Sequence, residues 1–266
     1  MMLIYAFTST HIPRGLGLCV PLRVWVGYNI PVVRNIEDKI RKKLLDLGAD
    51  LVGFASLEIL PEDIRQGYPY GVSFAIAINP EIIDEMKNGP TKNYEAEYKR
   101  INKLSGEIGT SCAKYIEKQG YRAYCGPATL EYLDWDTLET PLPHKTVATL
   151  SGIGWIGRCA LLVTEKFGSA VRLNTILTDA PLTSGTPITR SRCGTCKRCV
   201  EACPVEISTG KNWVAGIRRE EFFDAFACGE EAKRASRQRK LDVTICGRCI
   251  YACPWTQKYL NKALYE

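Results

Sequence analysis

The chain has 266 residues, 45% of them hydrophobic and 24% charged, with a formal net charge of +6. This is the make-up of an ordinary soluble globular protein of one large domain or two modest ones. No apolar run reaches the length of a membrane span, which excludes a helical integral membrane protein.

In chain order, residues 1–30 carry apolar patches broken by Pro13, Arg14, Pro21 and Arg23. They lack the basic start, apolar middle and small-residue cleavage site of a signal peptide. They read as an N-terminal extension, and the chain reads as cytoplasmic. Ile36, Ile40, Leu44 and Leu47 recur at helical spacing, which predicts an amphipathic helix over 36–47 stopped by Gly48. Leu51–Ala55 reads as a short strand, and Val72–Ile78 as a buried strand ending at Asn79-Pro80. A long helix is expected from Tyr94 to Gln119, with Leu104, Ile108, Cys112, Tyr115 and Ile116 on its apolar face and Gly120 as its stop. Tyr121–Tyr124 begins another strand. Ala160–Thr164 and Val171–Leu177 look like a hairpin or adjacent strands joined through Gly168-Ser169. Helices and strands thus alternate over 31–185, which predicts an α/β (α+β) layer domain. The segment Ala180–Arg190, rich in Pro, Thr, Ser and Gly, reads as a linker to a second domain over 186–266.

Eight of the twelve cysteines fall in that last part. Cys193, Cys196, Cys199 and Cys203 precede Pro204; Cys246, Cys249 and Cys253 precede Pro254. Cys-x2-Cys-x2-Cys-x3-Cys-Pro is the bacterial ferredoxin spacing for [4Fe-4S] clusters, in which the fourth cysteine of a run ligates the other cluster. The second run is one ligand short, and Cys228 lies between the runs to supply it. The expected ligands of cluster one are Cys193, Cys196, Cys199 and Cys253, and those of cluster two are Cys246, Cys249, Cys203 and Cys228. Zinc is the alternative, but it needs only four of the eight and explains neither the third cysteine at the next step nor the prolines. Disulfides are the other alternative, disfavoured by the metal-site spacing. Two oxidised clusters with their thiolates, roughly −2 each, bring the net charge to about +2. The run Lys233, Arg234, Arg237, Arg239 and Lys240 reads as a solvated helix face offsetting cluster charge, with an RNA-backbone or acidic-partner patch as the alternative.

Gly152, Gly154 and Gly157 fall within six residues around Trp155. Three glycines permit close backbone approach, suiting either a loop pressed on a flat cofactor or a phosphate, or a tight packing turn around a core tryptophan. The acidic residue of a dinucleotide fingerprint is absent.

Taken together, Leu130-Glu131, Gly154-Trp155-Ile156-Gly157, Thr178-Asp179, Cys193 to Pro204 and Cys246 to Trp255 occur in the order seen in the epoxyqueuosine reductase family, which the chain resembles from about Ile36 to Tyr259. The resemblance implies an α/β reductase-type domain followed by a ferredoxin-like double-cluster module. It implies a cobalamin between them and electrons passing through the clusters to cobalt. It also implies removal of the epoxide oxygen from a modified tRNA nucleoside, and an electron donor of ferredoxin or flavodoxin type. Corrinoid reductive dehalogenases are more distant relatives. On this reading Gly152, Gly154, Trp155, Gly157 and Cys159 bind cofactor.

The chain departs from the family in three places. Cys125 stands where the family carries an aspartate resembling a proton donor. A thiol near pKa 8.5 is also protonated at neutral pH, although a buried inert side chain is the common fate of free cysteine. Asp134, Asp136 and Tyr124 are the neighbouring alternatives, so the catalytic candidates are Cys125 and Asp134. Cys159 replaces a polar residue, commonly asparagine; it is read as ordinary packing, with a cavity shared with Cys125 as a redox pair or ligand as the alternative. The chain ends eleven residues after Trp255, where longer members continue into a helical-repeat tail resembling a tRNA grip. Cys19 and Cys112 read as structural. His144 is either a cobalt ligand or proton donor, or a surface or capping residue. Three functions remain open: an iron–sulfur reductase, an electron carrier with a docking domain, and a nucleic-acid module with structural clusters.

Overall fold

In this computed structural model residues 34–127, 134 and 136–266 are described. The N-terminal extension, Cys19 and the Leu130-Glu131 motif lie outside them. Helix α1 (Arg34–Asp46) is followed by strands β1 (Leu51–Ser56) and β2 (Tyr70–Ala77). Asn79 then caps the short helix α2 (Pro80–Asp84), its side chain accepting from the Glu81 N–H at 2.8 Å. Thr91 caps α3 (Lys92–Lys118) by accepting from the Tyr94 N–H at 3.1 Å. Next come β3 (Ala123–Cys125), α4 (His144–Leu150), the pair β4 (Trp155–Ile156) and β5 (Leu162–Val163), and β6 (Val171–Thr178). The cysteine-rich end carries α5 (Arg198–Glu201), α6 (Ala225–Gln238), α7 (Arg248–Ala252) and α8 (Pro254–Tyr265).

The main sheet has the order β1-β2-β6-β3, and every pairing is antiparallel. Strand alternation decides what lies on each face. Val52, Phe54, Val72, Phe74, Ile76 and Ile176 form one core with Ile40 and Leu44 of α1 and Ile101, Ile108 and Ile116 of α3. Fully burying each such side chain is worth about 1.5–3 kcal/mol, and this face is the main source of stability. The opposite face presents Ala55, Leu177 and Tyr124 to Val147 of α4. Gly53 and Gly71 let this layer come close: a Cβ on Gly71 would stand 2.7 Å from Val147, and one on Gly53 2.5 Å from Ile153.

The hairpin expected between Ala160–Thr164 and Val171–Leu177 does not form. β5 pairs with β4, and β6 lies inside the main sheet between β2 and β3. The run Asn174–Thr178 is buried throughout, so both of its faces need cover, which a central strand receives and a hairpin arm does not.

Residues 33–266 pack as one compact unit. Several contacts join the cysteine-rich end to the sheet layer. The Glu95 carboxylate of α3 accepts from the Asp242 N–H at 2.9 Å and pairs with Lys92 and Lys99. Thr256 Oγ1 accepts from the Ser169 N–H at 3.1 Å. The Tyr259 hydroxyl donates to the Ile78 carbonyl at 3.0 Å, while its ring meets Phe167 edge to face at 5.2 Å.

Candidate iron–sulfur site

The two cysteine runs fold alike. Each Cys-x2-Cys step leads into a helix of little more than one turn, with Cys199 the second residue of α5 and Cys249 the second residue of α7. Each helix stops before a Cys-Pro. Pro254, with no N–H to lose, opens α8 at its first turn.

The thiols fall into two interleaved groups. Burial pushes Cys253 up, with the neighbouring Cys193 and Cys199 adding to it. Burial pushes Cys228 up to about 11, with Cys246 and Cys203 adding to it. Cys246 is raised in the same way, and Cys203 is among its neighbours. The last cysteine of each run therefore has cysteines of the opposite part of the module among its neighbours. All eleven described cysteines are free thiols. No three Cys, His, Asp or Glu among the described residues converge as on a single metal ion. A cube binds its thiolates on separate irons, and its ligands stand further apart than those of one ion.

The surroundings fit such a group. Trp155, fully buried, packs on Cys193 and Cys253. Its indole Nε1 has no partner among the described residues. Arg158, also buried, donates from Nη2 to the Gly194 carbonyl at 2.5 Å and holds the Cys193–Cys196 loop. The Ser208 hydroxyl donates to the Arg158 carbonyl at 2.8 Å and ties the next loop to the same point.

The residues expected to cradle a corrinoid are placed differently. A Cβ on Gly152 would meet the Thr186 carbonyl at 2.6 Å, one on Gly154 the Val163 carbonyl at 2.5 Å, and one on Gly157 the Val163 side chain at 2.8 Å. The space freed by these glycines is filled by the chain itself, and the strip does not offer a flat cofactor a cradle. Beside it, Ser151, Gly152 and residues 186–192 line an open groove of about 480 Å³. Cys159 is buried, and its thiol interacts with those of Cys199 and Cys249, one from each run.

Cys125 and Cys159 are not brought together. Cys125 lies on the α3 face of the sheet, where a Cβ on Gly109 would come within 2.3 Å of its sulfur. Its thiol donates to the Gly126 carbonyl at 3.3 Å, and burial pushes its pKa up to about 11. Tyr124, one residue earlier, packs on the α4 face. Asp134 is exposed, and its Oδ1 accepts from the N–H of Asp136 at 2.8 Å and of Thr137 at 3.3 Å. Those bonds hold its carboxyl below the usual range, so it has no proton to give at neutral pH. His144 opens α4 with Nδ1 3.0 Å from Thr175 Oγ1 and Nε2 3.3 Å from the Pro127 carbonyl, and burial lowers its pKa. In the basic run, Arg234 is held by Glu231 at 2.6 and 2.8 Å and Lys233 by Glu230 at 2.8 Å. Arg239 donates to the Asn88 carbonyl.

Sequence reasoning passed over Arg158, Glu95, Thr256 and the half-buried Lys145, whose amine donates to the Ala160 carbonyl at 3.0 Å. Each acts through a contact across the fold that leaves no periodic mark. The adjacency of Arg158 to the glycine strip was the one available signal.

Residues 192–256 match the family described as 4Fe-4S double cluster binding domain. The chain is 29% identical over 253 residues to the epoxyqueuosine reductase of Atelocyanobacterium thalassa (isolate ALOHA), covering 85% of this chain and 81% of that protein. The chain is thus similar to epoxyqueuosine reductases over most of its length. Another relative, the epoxyqueuosine reductase of Cellulophaga algicola, is 33% identical over 119 residues, covering 44% of this chain and 38% of its own length. In fold, the chain is similar to a catabolic reductive dehalogenase in complex with 3-bromo-4-hydroxybenzoic acid, with a TM-score of 0.66 at 19% identity, covering 88% of this chain and 33% of that one. It is also similar to an epoxyqueuosine reductase solved with an epoxyqueuosine-modified tRNA stem loop, with a TM-score of 0.58 at 18% identity, covering 85% of this chain and 66% of that one. The chain thus spans well under half the length of several relatives. No helix among the described residues is long and apolar enough to cross a membrane.

Proposed function

We propose that the chain is a cytoplasmic iron–sulfur oxidoreductase that carries electrons from a ferredoxin- or flavodoxin-type donor to a reducible substrate. A modified tRNA nucleoside is the substrate class its relatives suggest. The observation that carries this reading is the interleaving of the cysteine thiols, Cys253 with Cys193 and Cys199, and Cys203 with Cys228 and Cys246. The bound clusters supply one-electron carriage. The chain's own residues do the rest. The short helices α5 and α7 set the thiols, Arg158 fixes the first loop, and Trp155, Val163 and Ile188 form a dry wall beside Cys193 and Cys253. Protein prepared anaerobically should hold about eight irons per chain. Cys253→Ala should lose about half of them or more, because one cluster lacks its fourth ligand. A wild-type sample with zinc and little iron would overturn the reading.

A second reading, an electron carrier that hands its electrons to another protein, is favoured by three placements. The glycine strip is filled by the chain itself, Asp134 is ionised in its turn, and Cys125 faces α3. Cobalamin decides between the two. Stoichiometric co-elution of the corrinoid with cluster-loaded protein supports the reductase, with the corrinoid seated away from the glycine strip. Intact clusters without retention support the carrier.

A further inference from the structure

We infer that Trp155 is the hydrogen-bond donor that tunes the potential of the cluster held by Cys193, Cys196, Cys199 and Cys253. The inference rests on the two-cluster reading above. Trp155 is 0% exposed, and its Nε1–H has no acceptor among the described residues. A buried donor left unpaired costs about 1–3 kcal/mol, and an indole nitrogen only donates. The ring's neighbours narrow the choice of acceptor. Among the apolar residues that share its cluster, Val163 and Ile188 have none in their side chains, Trp255 offers only a donor, and Cys193 and Cys253 offer sulfurs.

The backbone explains why the ring stands there. Trp155 pairs with Val163 across β4 and β5, and Ile156 with Leu162. Alternation sends the two side chains to opposite sides. Ile156 joins Ala148, Leu162 and Phe222, while Trp155 joins the two cysteines. Trp255, two residues past Cys253, meets the Trp155 ring edge to face at 5.2 Å and 75°. The Arg192 guanidinium lies 5.6 Å from the ring centre. The indole thus lies beside Trp255 and Arg192, in the same apolar cluster as two expected ligands of one cube. A donor to a cluster sulfur withdraws charge from it and favours the reduced state, so it raises the potential.

The test uses the full chain with its clusters, carrying ¹⁵N-indole tryptophan, alongside Trp155→Phe and Trp255→Phe. Iron content is measured first, and a wild-type value far from about eight sinks the two-cluster reading rather than the role of Trp155. With iron in place, pulsed EPR of the reduced protein should show a ¹⁵N coupling to one cluster that persists in Trp255→Phe. Potentiometric titration of Trp155→Phe should show one of two midpoints moved to a more negative value and the other unmoved, with the coupling gone. Absence of nitrogen coupling in labelled wild type overturns the inference even if Trp155→Phe fails to fold. Unchanged midpoints in an iron-replete Trp155→Phe, or loss of the coupling in Trp255→Phe, overturn it as well.

Discussion

At the scale of single residues, burial decides which titratable groups keep their protons. His144 is held neutral by burial, with Thr175 and Pro127 on its two ring nitrogens. Its native pKa is depressed below the unfolded value of about 6.5. Above that value both states are neutral and His144 adds no pH dependence. Below it the unfolded chain takes up a proton that the native chain refuses, so stability falls as pH drops from 6.5 toward the native value. Denaturation of the anaerobic protein between pH 5.5 and 7.5 should show stability rising with pH, and His144→Asn should flatten that slope. An unchanged slope would place the dependence elsewhere. Cys125 keeps its proton for the same reason, with its pKa near 11. If that thiol is inert packing between β3 and α3, Cys125→Ser leaves reductive turnover unchanged and lowers stability, as expected when a less apolar atom enters the core. Loss of turnover with unchanged stability would make it a proton donor.

At the scale of elements, the joints between the sheet layer and the cysteine-rich end use very close approach. Gly168 has φ +58°, and a Cβ there would lie 2.2 Å from the backbone nitrogen of Thr256. Gly168→Ala combines a strained backbone with a clash against the first turn of α8 and should cost about 2–4 kcal/mol, read as a lower denaturation midpoint. Here the limits of the sequence become clear. The helical period of Ile36 to Leu47 and the apolar face of Tyr94 to Gln119 were legible because local spacing determines both. The cysteine runs were legible because ligation demands fixed spacing. The partner of β6 was not legible. A run such as Asn174–Thr178 reads the same whether it closes a hairpin or fills a sheet, and only the distant strands β2 and β3 decide. The glycine strip was half legible. Its need for close approach showed in the sequence, but what approaches it, Thr186 and Val163, did not.

At the scale of the whole molecule, Glu95 links the α3 layer to the turn before the second cysteine run. Hydrogen bonds from Lys99 and Lys92, then from the Asp242 N–H, pull its pKa down to about 2. Glu95→Ala leaves two lysines and a backbone N–H without their acceptor. It should loosen the cluster segment, measured as faster iron release to a chelator than in wild type. An equal release rate would show that Thr256 and Tyr259 suffice to hold it.

The crossing of the two runs also bears on how the protein is made. On the proposed ligand assignment, Cys203 waits for Cys246, 43 positions further along the chain, and the site begun by Cys193 stays open until Cys253 has emerged. Neither cube can be finished on a partial chain or from one run alone. On that assignment a chain carrying only the first run should retain neither cluster after anaerobic loading with iron and sulfide, and retention of one cube would refute the crossing.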